Sequence, residues 1–217
     1  MKIKFKHQSF QQHAVQSIVD CFKGQPNEQS RFTLDKGKRQ KYEQGKLDFE
    51  AGQELLDVGF RNHKIQLIEQ DILANIQAVQ RSNGLKQSER LEGKYNLTIE
   101  METGTGKTYT YIRTMYELYQ KYGWSKFIVV VPSIAIREGV LKSFQMTEDH
   151  FMNEYGTKAR YFVYNSKQLH HIDKFASDAG INVMIINSQA FNSRGKDARR
   201  IYCTRKPPVR LGVQESL

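Results

Sequence analysis

Gly104, Thr105, Gly106, Lys107 and Thr108 are the residues of this chain whose types and spacing best suit a defined chemistry. Glycines at 104 and 106 let backbone N–H groups close around an anion with no Cβ in the way. Lys107 adds an ammonium group placed to reach β- and γ-phosphates, and Thr108 adds a hydroxyl able to ligate Mg²⁺. The five residues therefore suit the triphosphate of a nucleotide. One position departs from the general pattern: a glycine is expected five residues before the second glycine, and Met101 stands there.

Such a loop works only between a strand and a helix, and the flanking sequence has both signatures. Asn96-Leu-Thr-Ile-Glu-Met101 alternates apolar and polar residues as a strand would, and a helix over about 107–121 carries a buried stripe of Ile112, Met115 and Tyr119 before Gly123 stops it. That helix aims its positive N-terminal end at the same anion. From there elements alternate: strand 127–131, a helix from Pro132-Ser133 to about Phe144, and a shorter helix at about 148–155 capped by Thr147. Strand 160–164 follows, then a helix capped by Ser166 and carrying Leu169, Ile172 and Phe175, and strand 182–187. Alternating strands and helices predict an α/β fold, a parallel sheet with helices on both faces. Ligands of such sheets sit beyond the carboxyl ends of the strands, so Lys107, Ser133 and Ser188 are expected on one rim.

The first 95 residues read differently. Ser9 to Phe22 predicts an amphipathic helix with Phe10, Ala14, Ile18 and Phe22 at helical spacing and a Ser9/Gln12 capping box. Residues 23–63 are polar and read as a surface insertion with a short strand at 31–34; a second helix is expected over about 66–81, ending at Asn83-Gly84. The organisation is thus an N-terminal helical and irregular segment (1–95), an incomplete nucleotide-binding domain (96–202) and a divergent tail (203–217).

Composition narrows the class. The chain has 217 residues, enough for one sizeable domain, with 39% hydrophobic content. Its longest apolar stretch, Phe127 to Pro132, is far too short to span a bilayer, and the basic N-terminus is followed by no apolar run of a signal peptide. Cys21 and Cys203 form no metal- or redox-type pair, which suggests a reducing cytoplasm. The net charge of +10 favours a polyanionic partner. Half of that surplus lies beyond residue 193, where seven Lys/Arg face only Asp197 and Glu215.

Glu102-Thr-Gly-Thr-Gly-Lys-Thr108 resembles motif I of the superfamily 2 helicases and translocases, and Phe127-Ile-Val-Val-Val-Pro-Ser-Ile-Ala-Ile-Arg137 resembles their motif Ia. Ser9-Phe-Gln-Gln-His-Ala-Val15 is similar to the segment in which that superfamily sets a glutamine against adenine, a role that would fall to Gln11; an amide can pair with the donor and acceptor of that base. An ordinary exposed helix glutamine is the alternative. Longer runs narrow the match: Met101 to Ile112, Tyr122 to Val140, Arg160-Tyr-Phe-Val-Tyr164 and Ile181-Asn-Val-Met-Ile-Ile-Asn-Ser-Gln-Ala-Phe-Asn192 look like the Res subunit of type III restriction–modification enzymes. The resemblance covers about Met1 to Tyr202.

It implies a RecA-like domain that binds ATP and Mg²⁺ in a DNA motor or switch. The motor acts with a Mod methyltransferase subunit, while a distant nuclease domain of Res cuts double-stranded DNA. By position, Gln11, Gly104, Thr105, Gly106, Lys107 and Thr108 would hold the nucleotide, with Thr108 on the metal. Pro132, Ser133, Arg137, Asn187, Ser188 and Gln189 would face DNA, where hydroxyls, amides and a guanidinium suit phosphate contacts. Helix capping is the alternative for Ser133 and Ser188, and a solvated helix position that for Arg137. The family's apolar strand ending in Asp-Glu has no counterpart here: Val183-Met-Ile-Ile-Asn187 ends in an amide, and Glu148-Asp149 follows no apolar strand. After Tyr202 the resemblance stops, as expected of a truncated or frame-shifted gene. The expectations are then the nucleotide-binding, DNA-facing part of a Res subunit or, alternatively, a non-catalytic nucleotide- or DNA-binding fragment. No catalytic residue is assigned.

Overall fold

A computed structural model describes residues 5–33, 58–93, 95–165, 168 and 170–188. The elements run α1 (Ser9–Asp20), β1 (Gln29–Thr33), β2 (Val58–Asn62), α2 (Glu69–Ser82) and α3 (Lys107–Tyr122). They continue with β3 (Lys126–Val131), α4 (Ile134–Tyr155), β4 (Arg160–Val163), α5 (His170–Ser177) and β5 (Asn182–Asn187). The fold is α/β, as expected. Strands β3, β5 and β4 form a parallel sheet in the order β3-β5-β4, with Val131 level with Asn187 and Val163 with Ile185.

Alternation along the strands divides the sheet into two faces. Val131, Val183 and Ile185 point to a core shared with Ile112, Met115 and Tyr116 of α3 and Val140, Phe144 and Phe151 of α4. The opposite face carries α5, where Phe162 stacks on His171 at 5.3 Å and meets Phe175 edge-on at 6.0 Å. Helices therefore lie on both faces, and the α/β arrangement of a RecA-like domain is present.

A second core ties the N-terminal segment to the sheet. Val15, Val19, Phe22, Ile72 and Ile76 pack on Tyr122 and Trp124, and the Tyr122 hydroxyl donates to the Val19 carbonyl at 2.8 Å. Gly123 ends α3 at φ +72°, where an added Cβ would stand 2.7 Å from the Glu28 carbonyl oxygen, so helix end and N-terminal chain can approach only through a glycine. Cys21 lies buried here with its thiol on the Ser17 carbonyl, and burial pushes its pKa up to about 11. An inert, protonated thiol results.

Several sequence expectations are corrected. Residues 96–101 form no strand: among the described residues no strand pairs with them, although the alternation is present. The two helices expected on either side of residue 147 are one helix of 22 residues, with the Thr147 hydroxyl bonded back to the Ser143 carbonyl at 2.8 Å rather than capping a new helix. Between Gly139 and Gly156 there is neither Gly nor Pro to break it. The Ser9/Gln12 box does not form, because Ser9 is already helical and Gln8 stands at the cap with no side-chain bond. In the polar insertion β1 pairs antiparallel with β2, a hairpin the sequence did not announce, since its strands are separated by residues 34–57. The Asn62 amide docks that hairpin on the sheet, accepting from the Ser125 and Lys126 amides at 2.8 Å each and donating to the Lys126 carbonyl at 2.7 Å. Leu34, Ser166, Leu169, Gln189 and the basic tail lie outside the described residues. No helix of the described residues is long and apolar enough to cross a membrane.

Candidate nucleotide site and strand-end rim

The glycine loop is shaped by two left-handed residues, Gly104 at φ +83° and Gly106 at φ +88°. Between them the Thr105 amide and hydroxyl both turn back to the Glu102 carbonyl, at 3.4 and 2.6 Å. The amides of Gly104, Gly106, Lys107, Thr108 and Tyr109 donate to no carbonyl of the described residues, whereas the first satisfied one in the helix is Thr110, on Gly106. Five unpaired donors at a helix start form a cradle for an anion. A Cβ at Gly104 would meet nothing within 4 Å, so the loop is open to an incoming group. Lys107 is exposed and its ammonium rests on the Met101 carbonyl. Charge, amides and the Thr108 hydroxyl on the first turn of α3 suit a phosphate–Mg²⁺ pair.

Gln11 arrives from 94 residues away. Its Nε2 donates to the Thr105 carbonyl at 2.8 Å, in the middle of the loop. Any side chain at Gly106 would collide with that amide, since an added Cβ would lie 2.5 Å from Gln11 Nε2. The positive φ favours glycine at 106, and a side chain there would displace the Gln11 amide from the loop. A groove of about 700 Å³ opens beside the contact, lined by Phe10, His13 and Ala14 of α1 and by residues 96–102 and Thr105.

At the carboxyl end of the sheet, β3 and β5 finish level, and the Ser188 amide donates to the Val131 carbonyl at 2.8 Å. Pro132, Ser133, Asn187 and Ser188 therefore share one rim. Ser133 caps α4, its hydroxyl accepting from the Ile136 amide at 3.3 Å. Arg137 lies one turn into α4 with its guanidinium on the Glu138 carboxylate at 2.8 Å. The sheet thus brings Ser133 and Ser188 to one rim, while Lys107 stands at the start of α3 and follows no strand. No group of three or more His, Cys, Asp or Glu side chains able to hold a metal exists among the described residues.

Sequence reading missed a polar cluster where residues 5–8 meet α3 and α4. Arg113, 8% exposed, donates from Nη2 to Glu154 at 2.8 Å and from Nε to the Tyr155 hydroxyl at 3.1 Å; its Nη1 lies 3.4 Å from His7 Nδ1. His150 Nε2 lies 2.9 Å from the Tyr109 hydroxyl and 3.3 Å from Glu154, and the Phe5 ring packs on both Tyr109 and His150. Burial holds His150 below its ordinary pKa despite the Glu154 carboxylate, with His7 and Arg113 adding to the depression. Burial likewise raises Tyr109 and Tyr155, with Glu154 and Glu117 respectively adding to the effect. Burial works against the Arg113 charge as well, but Tyr155 and Glu154 outweigh it and leave the guanidinium above its usual value. An arginine one helical turn on from Tyr109, on the same face, was the available signal, and partners 41 residues off hid it.

Fold and loop together define an α/β protein of the RecA-like phosphate-loop class. Its family is narrower: the model of the type III restriction enzyme Res subunit matches residues 4–202, and the chain belongs to that family. It is 37% identical over 153 residues to the EcoP15I Res subunit of Escherichia coli, an alignment covering 61% of this chain and 16% of that protein. The EcoPI Res subunit of Escherichia phage P1 is 36% identical over 115 residues (49% and 11%), and the StyLTI Res subunit of Salmonella typhimurium 39% over 103 residues (48% and 8%). The chain thus spans about a sixth or less of the curated relatives it matches.

Proposed function

We propose that this chain is the ATP-binding, DNA-facing part of a Res subunit, whose intact form couples ATP hydrolysis to translocation or switching on double-stranded DNA and to its cleavage, in partnership with a Mod methyltransferase. The observation that carries the reading is the Gln11–Thr105 bond, which brings an amide suited to adenine onto a loop of unpaired amides suited to phosphates. Lys107 would leave the Met101 carbonyl to neutralise the β- and γ-phosphates, and Thr108 would hold Mg²⁺. With its Nε2 on Thr105, Gln11 keeps Oε1 for the exocyclic amine of the base. Pro132, Ser133, Arg137, Asn187, Ser188 and Gln189 would face DNA, positioning the backbone without reading sequence.

Bound Mg²⁺ and an ATP analogue should slow hydrogen exchange at the amides of residues 104–109 and leave those of β4 unchanged. Equal protection of both regions, or of neither, contradicts the site. DNA binding should be independent of sequence and fall steeply with salt, because basic groups act through counterion release. Deleting the residues after Asn192 should weaken it strongly; unchanged affinity would transfer the role to the rim.

A second reading is favoured by one observation. No apolar run of the 217-residue sequence ends in Asp-Glu, the pair that would orient an attacking water. On that reading this stretch binds nucleotide and DNA without turnover. Its ATP hydrolysis, with or without duplex DNA, should match that of the Lys107→Ala variant; DNA-stimulated turnover by the purified chain would overturn it.

A further inference from the structure

The polar cluster around Arg113 lies outside the phosphate loop, yet it grips the chain just before Gln11. Phe5 and His7 both fall on side chains of α3 and α4: Tyr109, His150 and Arg113. Tyr109 and Arg113 stand on the first two turns of α3, the helix that begins with Lys107. Glu154 and Tyr155 hold the Arg113 fork from the end of α4, and the Tyr155 hydroxyl in turn donates to Glu117 at 2.7 Å. Four residues after His7 comes Gln11, whose amide must land on Thr105. A side chain in the first turn of a helix points where the start of that helix is fixed, and Gln8, at the cap of α1, makes no side-chain bond to fix it.

We propose that the Arg113–Glu154 pair, together with His7, Tyr109 and His150, is a positioning device that sets the start of α1 and so holds Gln11 at the phosphate loop. It acts through Gln11 and touches no nucleotide. The proposal rests on the reading of Gln11 as the residue that recognises adenine. A partly buried, charge-assisted pair keeps its geometry better than a solvated one, which suits it to this task.

The test compares ATP, GTP and inorganic tripolyphosphate by calorimetry on the full 217-residue chain and on Gln11→Ala, Glu154→Gln and His7→Ala. Gln11→Ala should lower the preference for ATP over GTP by about threefold to tenfold, the range of a neutral hydrogen-bond pair. Glu154→Gln should lower it comparably while leaving tripolyphosphate affinity intact, and the Gln11→Ala/Glu154→Gln double variant should lose no more than either single one. His7→Ala, at an exposed position that leaves the core untouched, should show a smaller loss of the same kind. If Gln11→Ala loses the preference while Glu154→Gln and His7→Ala both keep it, the positioning role is overturned and the adenine reading stands. If the wild-type chain shows no preference for ATP, the adenine reading fails and this proposal fails with it. A merely structural defect in Glu154→Gln would lower tripolyphosphate binding together with ATP, and that outcome also overturns the proposal.

Discussion

Val183 and Ile185, on one face of β5, are fully buried beneath α3 and α4, whereas Ile128 and Val130, on the opposite face of neighbouring β3, are each 55% exposed. The residue types are the same and the strands are bonded in register. What differs is cover. Two long helices reach the first face, while on the second α5 meets Phe162 and Lys126, and Ile186 of β5 is buried although Val130, paired with it on β3, is not. Leu97 and Ile99, in the extended run before the glycine loop, are exposed in the same way at 37% and 47%. Alternation therefore decides which side chains share a face, and the reach of other elements decides which face becomes a core.

That contrast can be broken by mutation. Phe151→Ala, within the covered face, should cost about 3–5 kcal/mol in denaturant unfolding, because transfer and cavity costs add. Ile128→Thr, on the open face, should stay within about 0.5 kcal/mol of wild type. Comparable losses at both sites would mean that the second face is covered in solution.

Ser133→Ala sharpens the reading of the rim. Loss of the cap on α4 should cost about 1 kcal/mol of stability. DNA affinity left unchanged by the same substitution would assign Ser133 to capping alone and remove it from the DNA-facing set.

Smaller effects should follow pH. Lys126 is lowered to about 8 by burial, partly offset by Asp178, so between that value and 10.5 the unfolded chain binds the proton the folded one has released. Stability should then rise with pH across this window, and Lys126→Gln should flatten the rise. His150 is also lowered by burial. The unfolded chain takes up its proton first, and stability should fall as pH drops below the ordinary histidine value of 6.5. His150→Gln should lessen that loss; a variant as acid-sensitive as wild type would place the sensitivity elsewhere.

Much of this was legible in the sequence. Runs such as Phe127–Val131 and Val183–Ile186 are apolar enough to read as sheet strands, and Gly123 and Gly156 mark helix ends by chemistry that acts locally. The turn at the glycine loop was legible for the same reason, while Gln11 was singled out only through resemblance and its role is a proposal. The unpaired run at 96–101 was not, because a strand pattern says nothing of whether a neighbour is there to accept its bonds. The hairpin and the Arg113 cluster depend on partners 25 to 106 residues away, beyond the reach of any periodicity. Unbroken α4 was misread because threonine caps helices as readily as it sits inside them, bonded to the preceding turn.

The central claim is that residues 104–108 form a phosphate-binding loop. It is tested most directly by calorimetric titration of the 217-residue chain with Mg²⁺ and a non-hydrolysable ATP analogue, beside Lys107→Ala. Binding by the wild type, weakened by roughly 1.5–3 kcal/mol in the variant, is the result expected for loss of a charge-assisted contact. Equal affinity of the two proteins would contradict it.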